Sequence, residues 1–269
     1  MLYVNHTQRV PDNGNGYGYG NGYGNGYGNG YGNGYIIDNF FNTREYKVST
    51  YNTGHTIDIF MVTNIGSFFL IYLVDKLLKK VNCVSRWFTL HSITNFIISA
   101  TTFSDVILCI KNPVVSSYPA IYDIAGNIAF SLHIYHCVFF KIRFDDWLHH
   151  ILSCFIFAPT CVKFSSKGLS VFYFFCTGLP GAIDYMVLTH VKAGRLVKKQ
   201  QKKISSFINA YIRMPGGVFC AGLLFKDGLH LFSTTFYGLE LIILSFMVYI
   251  NSCFYGKQSM ENYGMYKQM

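Results

Sequence analysis

Charge is scarce in this sequence. Of its 269 residues only 13 % are Asp, Glu, Lys or Arg, about half the share of an ordinary soluble domain, while 51 % are apolar and 18 % aromatic. That balance excludes a water-facing surface for most of the chain. Acids are scarcer than bases, 13 against 22, for a net charge of +9. The bases fall in short segments between apolar runs, which argues against a nucleic-acid patch and reads as a topology signal. Paired cysteines are missing too. Cys83, Cys109, Cys137, Cys154, Cys161, Cys176, Cys220 and Cys253 lie singly, mostly inside apolar runs, and none has C-x-x-C spacing. This excludes the usual zinc and redox motifs and leaves small apolar side chains suited to a core. No removable signal peptide is expected, since a polar tail precedes the first apolar run.

That tail, residues 1–50, carries an N-G-Y-G repeat from Asn13 to Tyr35 with Gly at every second position. So much glycine maximises chain entropy and leaves little to bury, so no fold is expected there. Its tyrosines suit weak association with itself or a partner, but a repeat expansion without selected structure is the favoured account. Asn5-His6-Thr7 is a glycosylation sequon, relevant where the tail reaches an oxidising lumen.

Residues 51–255 read as one all-α domain, a polytopic transmembrane helical bundle. Crossing the hydrocarbon takes about 20 mainly apolar residues. Candidates run over about 57–78, 87–110, 120–140, 147–164, 168–190, 204–225 and 229–254, seven spans. The sixth is interrupted by Arg213, Pro215, Gly216 and Gly217, so six is the alternative. With seven, one face receives Lys76, Lys79, Lys80, Arg86, Lys141, Arg143, Lys192, Arg195, Lys198, Lys199, Lys202, Lys203, Lys257 and Lys267. The other receives half as many: Arg9, Arg44, Lys47, Lys111, Lys163, Lys167 and Lys226. The positive-inside rule then places the richer face in the cytosol, with the N-terminus lumenal and residues 256–269 a cytosolic tail.

Ionisable side chains are costly within a span and mark function there. The second candidate span holds His91, Asn95 and Asp105, and the third holds Asp123, His133 and His136. The fourth opens with Asp145, Asp146, His149 and His150, and the fifth holds Asp184 and ends at His190; Arg213 and Glu240 lie in the last two. His133 and His136, three apart, share a helical face, and a short turn brings the next helix back beside them. Four histidines thus gather near the cytosolic end of one hairpin. Interhelical hydrogen bonding is the structural reading of such residues. Imidazole also titrates near neutrality and serves as base, acid or acyl acceptor. His149 and His150 point about 100° apart on a helix, so one can line a cavity while the other is held by a neighbour.

The stretch RFDDWLHHILSCFIF, Arg143 to Phe157, resembles the central motif of the TLC family, the domain shared by TRAM, ceramide synthases and CLN8-like proteins. In that motif an acidic residue stands four or five positions before a His-His pair. SLHIYHCVFF (Ser131 to Phe140), RWFTLH (Arg86 to His91) and LPGAIDYMVLTHVKAG (Leu179 to Gly194) are similar to TLC proteins as well, and the resemblance extends over about residues 50–255. It implies a membrane protein of endoplasmic-reticulum type whose helices enclose a lipid-sized cavity and which binds, senses or regulates membrane lipid.

The alternative it implies is a ceramide-synthase-like N-acyltransferase that moves an acyl group from acyl-CoA to a sphingoid base. His149 would then be acyl acceptor or base, His150 its partner, and Asp184 the carboxylate orienting an imidazole. His91, His133, His136, Asp145 and Asp146 would line the binding site, and cytosolic Lys and Arg would hold the CoA phosphates. No metal or cofactor is implied beyond acyl-CoA as co-substrate. Partners are membrane lipid and, on self-association, a second copy of the chain, with no nucleic acid. The sequence departs from ceramide synthases in keeping one acid, Asp184, in the fifth span, and in lacking a homeobox-like insert. Its Asn-, Ile-, Tyr-, Phe- and Lys-rich composition fits an AT-rich genome, such as that of a giant DNA virus or a protist. A diiron oxygenase needs about eight clustered histidines, which nine in the whole chain do not supply, and a retinal protein needs a lysine absent from residues 229–254.

Overall fold

The computed structural model describes residues 53–121, 124–142, 147, 150, 151, 154, 155, 164–233 and 236–268. The glycine-rich tail, the sequon, Asp123, Asp145, Asp146, His149 and most of the candidate span 147–164 lie outside the described residues.

Apolar runs with few charges become helices, because only a helix satisfies its own backbone groups within lipid. Among the described residues six such helices occur in chain order: α1 (Thr53–Lys80), α2 (Arg86–Lys111), α3 (Ala125–Phe139), α4 (Lys167–Lys192), α5 (Lys198–Phe232) and α6 (Tyr237–Gln268). Five of them, all but α3, are long and apolar enough to cross a membrane. At 15 residues α3 covers about 22 Å, short of the roughly 30 Å of hydrocarbon. No named strand occurs among the described residues. An isolated antiparallel bridge between Pro119 and Ser166 ties the α2–α3 connection to the start of α4.

The main core lies where α2, α4, α5 and α6 meet, with Ile98, Val106, Val171, Leu224 and Val248 almost fully buried. Ile71, Leu90, Leu132 and Tyr135 form a second, smaller core joining α1, α2 and α3. Large apolar side chains such as Val62, Ile65 and Phe69 on α1 and Phe246, Ile250 and Phe254 on α6 stay exposed, as a lipid-facing surface would be. Polar side chains join neighbouring helices. Asn64 of α1 donates to Asn127 Oδ1 of α3 at 3.0 Å, and Ser131 donates back to Asn64 Oδ1 at 3.0 Å. Ser92 of α2 donates to the Ala182 carbonyl of α4 at 2.9 Å.

The Pro-Gly interruption expected to weaken the sixth span does not break it, for α5 runs unbroken over 35 residues. A wide π turn, Asn209–Arg213, stands just before Pro215, and another, Tyr173–Gly178, just before Pro180 of α4. Proline lacks the N–H and its ring crowds the carbonyl four residues back; an extra residue in the preceding turn relieves both. The glycines after each proline then allow close packing. A Cβ on Gly181 would meet Asn95 Nδ2 at 2.5 Å, and one on Gly217 would overlap Ser252. The last span is also displaced: Leu229–Phe232 complete α5, and α6 begins at Tyr237 and continues to Gln268 rather than ending near 254.

Candidate functional site

The first turns of α2 and the last turns of α3 meet at one end of the bundle, called here the histidine end. Trp87 and His91 come from α2, His133 and His136 from α3, and Tyr185 from α4. The three-residue spacing of His133 and His136 gives both rings to one face, and His150 packs against it. His150 Nε2 lies 2.9 Å from His136 Nδ1, a hydrogen bond in which one imidazole donates and the other accepts. The His150 ring centroid is 5.0 Å from that of His133 and 4.7 Å from that of His136. His91 stands 5.8 Å from His136 and 4.6 Å from Tyr185, with the Trp87 indole packed on both His91 and His136.

The partners fix two tautomers. His91 Nδ1 is 3.1 Å from the Trp87 carbonyl, and His133 Nδ1 is 2.7 Å from the Ala129 carbonyl. A carbonyl only accepts, so Nδ1 carries the proton in each ring, and when neutral each keeps its lone pair on Nε2. The cluster therefore gathers imidazoles, the side chains whose chemistry near neutrality is proton exchange with a hydroxyl, an amine or water.

Of the expected site residues, the structure brings together His91, His133, His136 and His150. Asp184 is placed differently. It accepts a hydrogen bond from Asn209 Nδ2 at 3.0 Å, and Arg213 donates to Asn209 Oδ1 at 2.7 Å while lying 5.3 Å above the Tyr255 ring. The described hydrogen bond of Asp184 thus runs toward α5 and not to an imidazole. Asp105, fully buried, accepts from Ser170 Oγ at 2.7 Å and from the Ile121 backbone at 3.1 Å, bonds that tie the opposite end of the bundle together. His190 and Glu240 are exposed.

Sequence reading passed over one group at the histidine end. Asp75 of α1 is 8 % exposed; Tyr135 donates to its Oδ2 at 3.0 Å, and Arg86 Nε lies 3.5 Å from its Oδ1. The signal available was an acid late in an apolar helix, just before three lysines. Asp75 is buried because its oxygens meet two neighbouring helices, and unpaired it would be costly there.

From this end an apolar cleft of about 520 Å³ descends between α1, α2 and α3. Its walls are Thr63, Gly66, Ser67, Leu70, Ile71 and Val74 of α1, Leu90, Ile93, Thr94 and Ile97 of α2, Ile124 just before α3 and Ile128 of α3. The α1 wall, Thr63 to Val74, runs for about 16 Å. Val74 adjoins Asp75 and Leu90 adjoins His91, so the polar cluster stands at one end of the apolar wall. Gly66 opens the middle, since a Cβ there would meet nothing within 4 Å. A helical Gly costs about 1 kcal/mol relative to Ala, and here it keeps a wall of the cleft open.

An all-α bundle with five membrane-length apolar helices and a buried polar cluster at one end defines a multi-pass membrane protein. Beyond that class, no family model, curated protein or solved structure matches the chain.

Proposed function

We propose that this protein binds a membrane lipid and acts as a TLC-type lipid-sensing or lipid-regulating protein of an endoplasmic-reticulum-type membrane. The observation that carries the reading is the cleft between α1, α2 and α3: apolar along its length and of about 520 Å³, with Val74 and Leu90 of its wall next in sequence to Asp75 and His91 of the histidine end. Binding pockets for small ligands fall in this size range and combine apolar walls with a few placed polar groups. An acyl chain would lie along Leu70, Ile93 and Ile97. The headgroup would sit toward Asp75, His91 and His136. The motifs around His136, His150 and Asp184 that resemble TLC proteins support the same reading. The basic residues at the histidine end favour its placement in the cytosol.

The test is native mass spectrometry of the purified protein and of Gly66→Leu. The new side chain enters open space, so the variant should fold and yet lose most of the copurifying lipid. Equal lipid retention by both proteins would reject the cleft as the binding site.

A second reading, acyl-CoA-dependent N-acylation of a sphingoid base, is favoured by the 2.9 Å bond between His136 and His150, since a bonded imidazole pair has the groups for proton transfer. Membranes carrying the protein would then form product, and His150→Ala and His149→Ala would abolish it at equal expression. Absence of product from the unaltered protein across several acyl-chain lengths would dismiss this reading.

A further inference from the structure

We propose that the cationic stripe at the start of α5 is a binding site for anionic phospholipid headgroups of the leaflet at the histidine end. This site is separate from the cleft and takes a ligand of different chemistry. At 35 residues, α5 is about 52 Å long, whereas the hydrocarbon is about 30 Å thick. Some 20 Å of helix must therefore stand at or beyond the headgroup level. The chain fills its first two turns with Lys198, Lys199, Lys202 and Lys203. Spacing of one and four residues collects these on one side of the helix, within about 8 Å along its axis. Gln201 and Ser206 pack inward, while Lys198, Lys199 and Lys203 are exposed.

The charge is also unbalanced. No acidic residue occurs between Asp184 and Asp227, and none of these four lysines takes part in a described ion pair. Lys192 and Arg195, both exposed, extend the stripe across the turn at Gly194, whose φ is +70°. The site is braced, because the α6 extension places Tyr266 under Lys198 at 5.3 Å. Clustered cations beside a span attract anionic headgroups and are screened by salt. The positive-inside rule accounts for bases at this end. It does not require six of them within twelve residues free of acid.

The experiment titrates the full-length detergent-solubilised protein with phosphatidylinositol bisphosphate, phosphatidylserine or phosphatidylcholine and counts bound lipid by native mass spectrometry. Both anionic lipids should bind at least tenfold more tightly than phosphatidylcholine. K198Q/K199Q/K202Q/K203Q should erase that preference, and K76Q/K79Q/K80Q, which removes bases from the end of α1, should keep it. Should the quadruple variant fail to fold by circular dichroism, Lys198→Gln and Lys203→Gln taken singly should each weaken the preference severalfold. Equal loss in the α5 and α1 variants, or no anionic preference in the unaltered protein, would overturn the proposal. Tighter binding of free inositol trisphosphate or coenzyme A at the stripe would overturn it too, by making the ligand a soluble phosphate.

Discussion

Tyr135 and Asp75 stand 60 residues apart, and their hydrogen bond fixes the end of α1 against α3 at the mouth of the cleft. Removing the phenolic hydroxyl leaves Asp75 with one less partner in a buried setting, at a cost of about 1–3 kcal/mol. Tyr135→Phe should therefore lower the thermal unfolding midpoint in detergent, whereas Tyr263→Phe on the polar extension of α6 should leave it unchanged. Equal midpoints for Tyr135→Phe and the unaltered protein would mean that the bond contributes nothing. The meeting of His133, His136 and His150 was legible in the sequence, because three-residue spacing and a short turn are local facts. Asp75 was not legible, since its partners come from α2 and α3. Asp184 was legible as a costly intramembrane acid, but its partner Asn209 sits in a π turn that sequence periodicity does not reveal.

Helices α4 and α5 share a device: a π turn, then a proline, then a glycine that admits a neighbouring helix. The glycines divide by what surrounds them. At Gly217 a side chain would collide with Ser252 of α6, whereas at Gly222 a Cβ meets nothing within 4 Å. Gly217→Leu should destabilise by at least about 1–3 kcal/mol through overpacking, and Gly222→Ala should stabilise by up to about 1 kcal/mol through helix propensity. Comparing thermal midpoints of the two variants checks the pair, and the reverse order would contradict the packing described. Hydropathy located α1, α2 and α4 within a few residues, because each apolar run is bounded by charge. It misplaced the break between α5 and α6, since Leu229–Phe232 are as apolar as the first turns of α6. It also missed the last turns of α6, whose polar residues from Lys257 onward form helix beyond the apolar run.

Among the described long helices α1 is the loosest, with about a tenth of its apolar stretch buried. It is held to α3 by the Asn64–Asn127–Ser131 bonds and leaves the apolar cleft between itself and α2. Cutting that clamp should loosen the cleft without touching its wall. Asn64→Leu should lower both the unfolding midpoint and the number of lipids retained, whereas Gly66→Leu should lower only the second. A fall in midpoint for Gly66→Leu as large as that for Asn64→Leu would show that Gly66 is packed rather than open. The bundle class was legible because lipid demands helices and few charges. The cleft was not, because its wall combines three helices and depends on one glycine where a larger apolar residue would give the same hydropathy.

The most direct test of lipid binding in the cleft is photolabelling with a phospholipid that carries a diazirine on its acyl chain, read by peptide mapping. Adducts should concentrate on Thr63–Val74 and Leu90–Ile97, exceed those on the exposed Phe246–Phe254 face of α6, and disappear from the cleft in Gly66→Leu. Labelling spread evenly over the exposed faces of α1 and α6, unchanged by Gly66→Leu, would contradict the account.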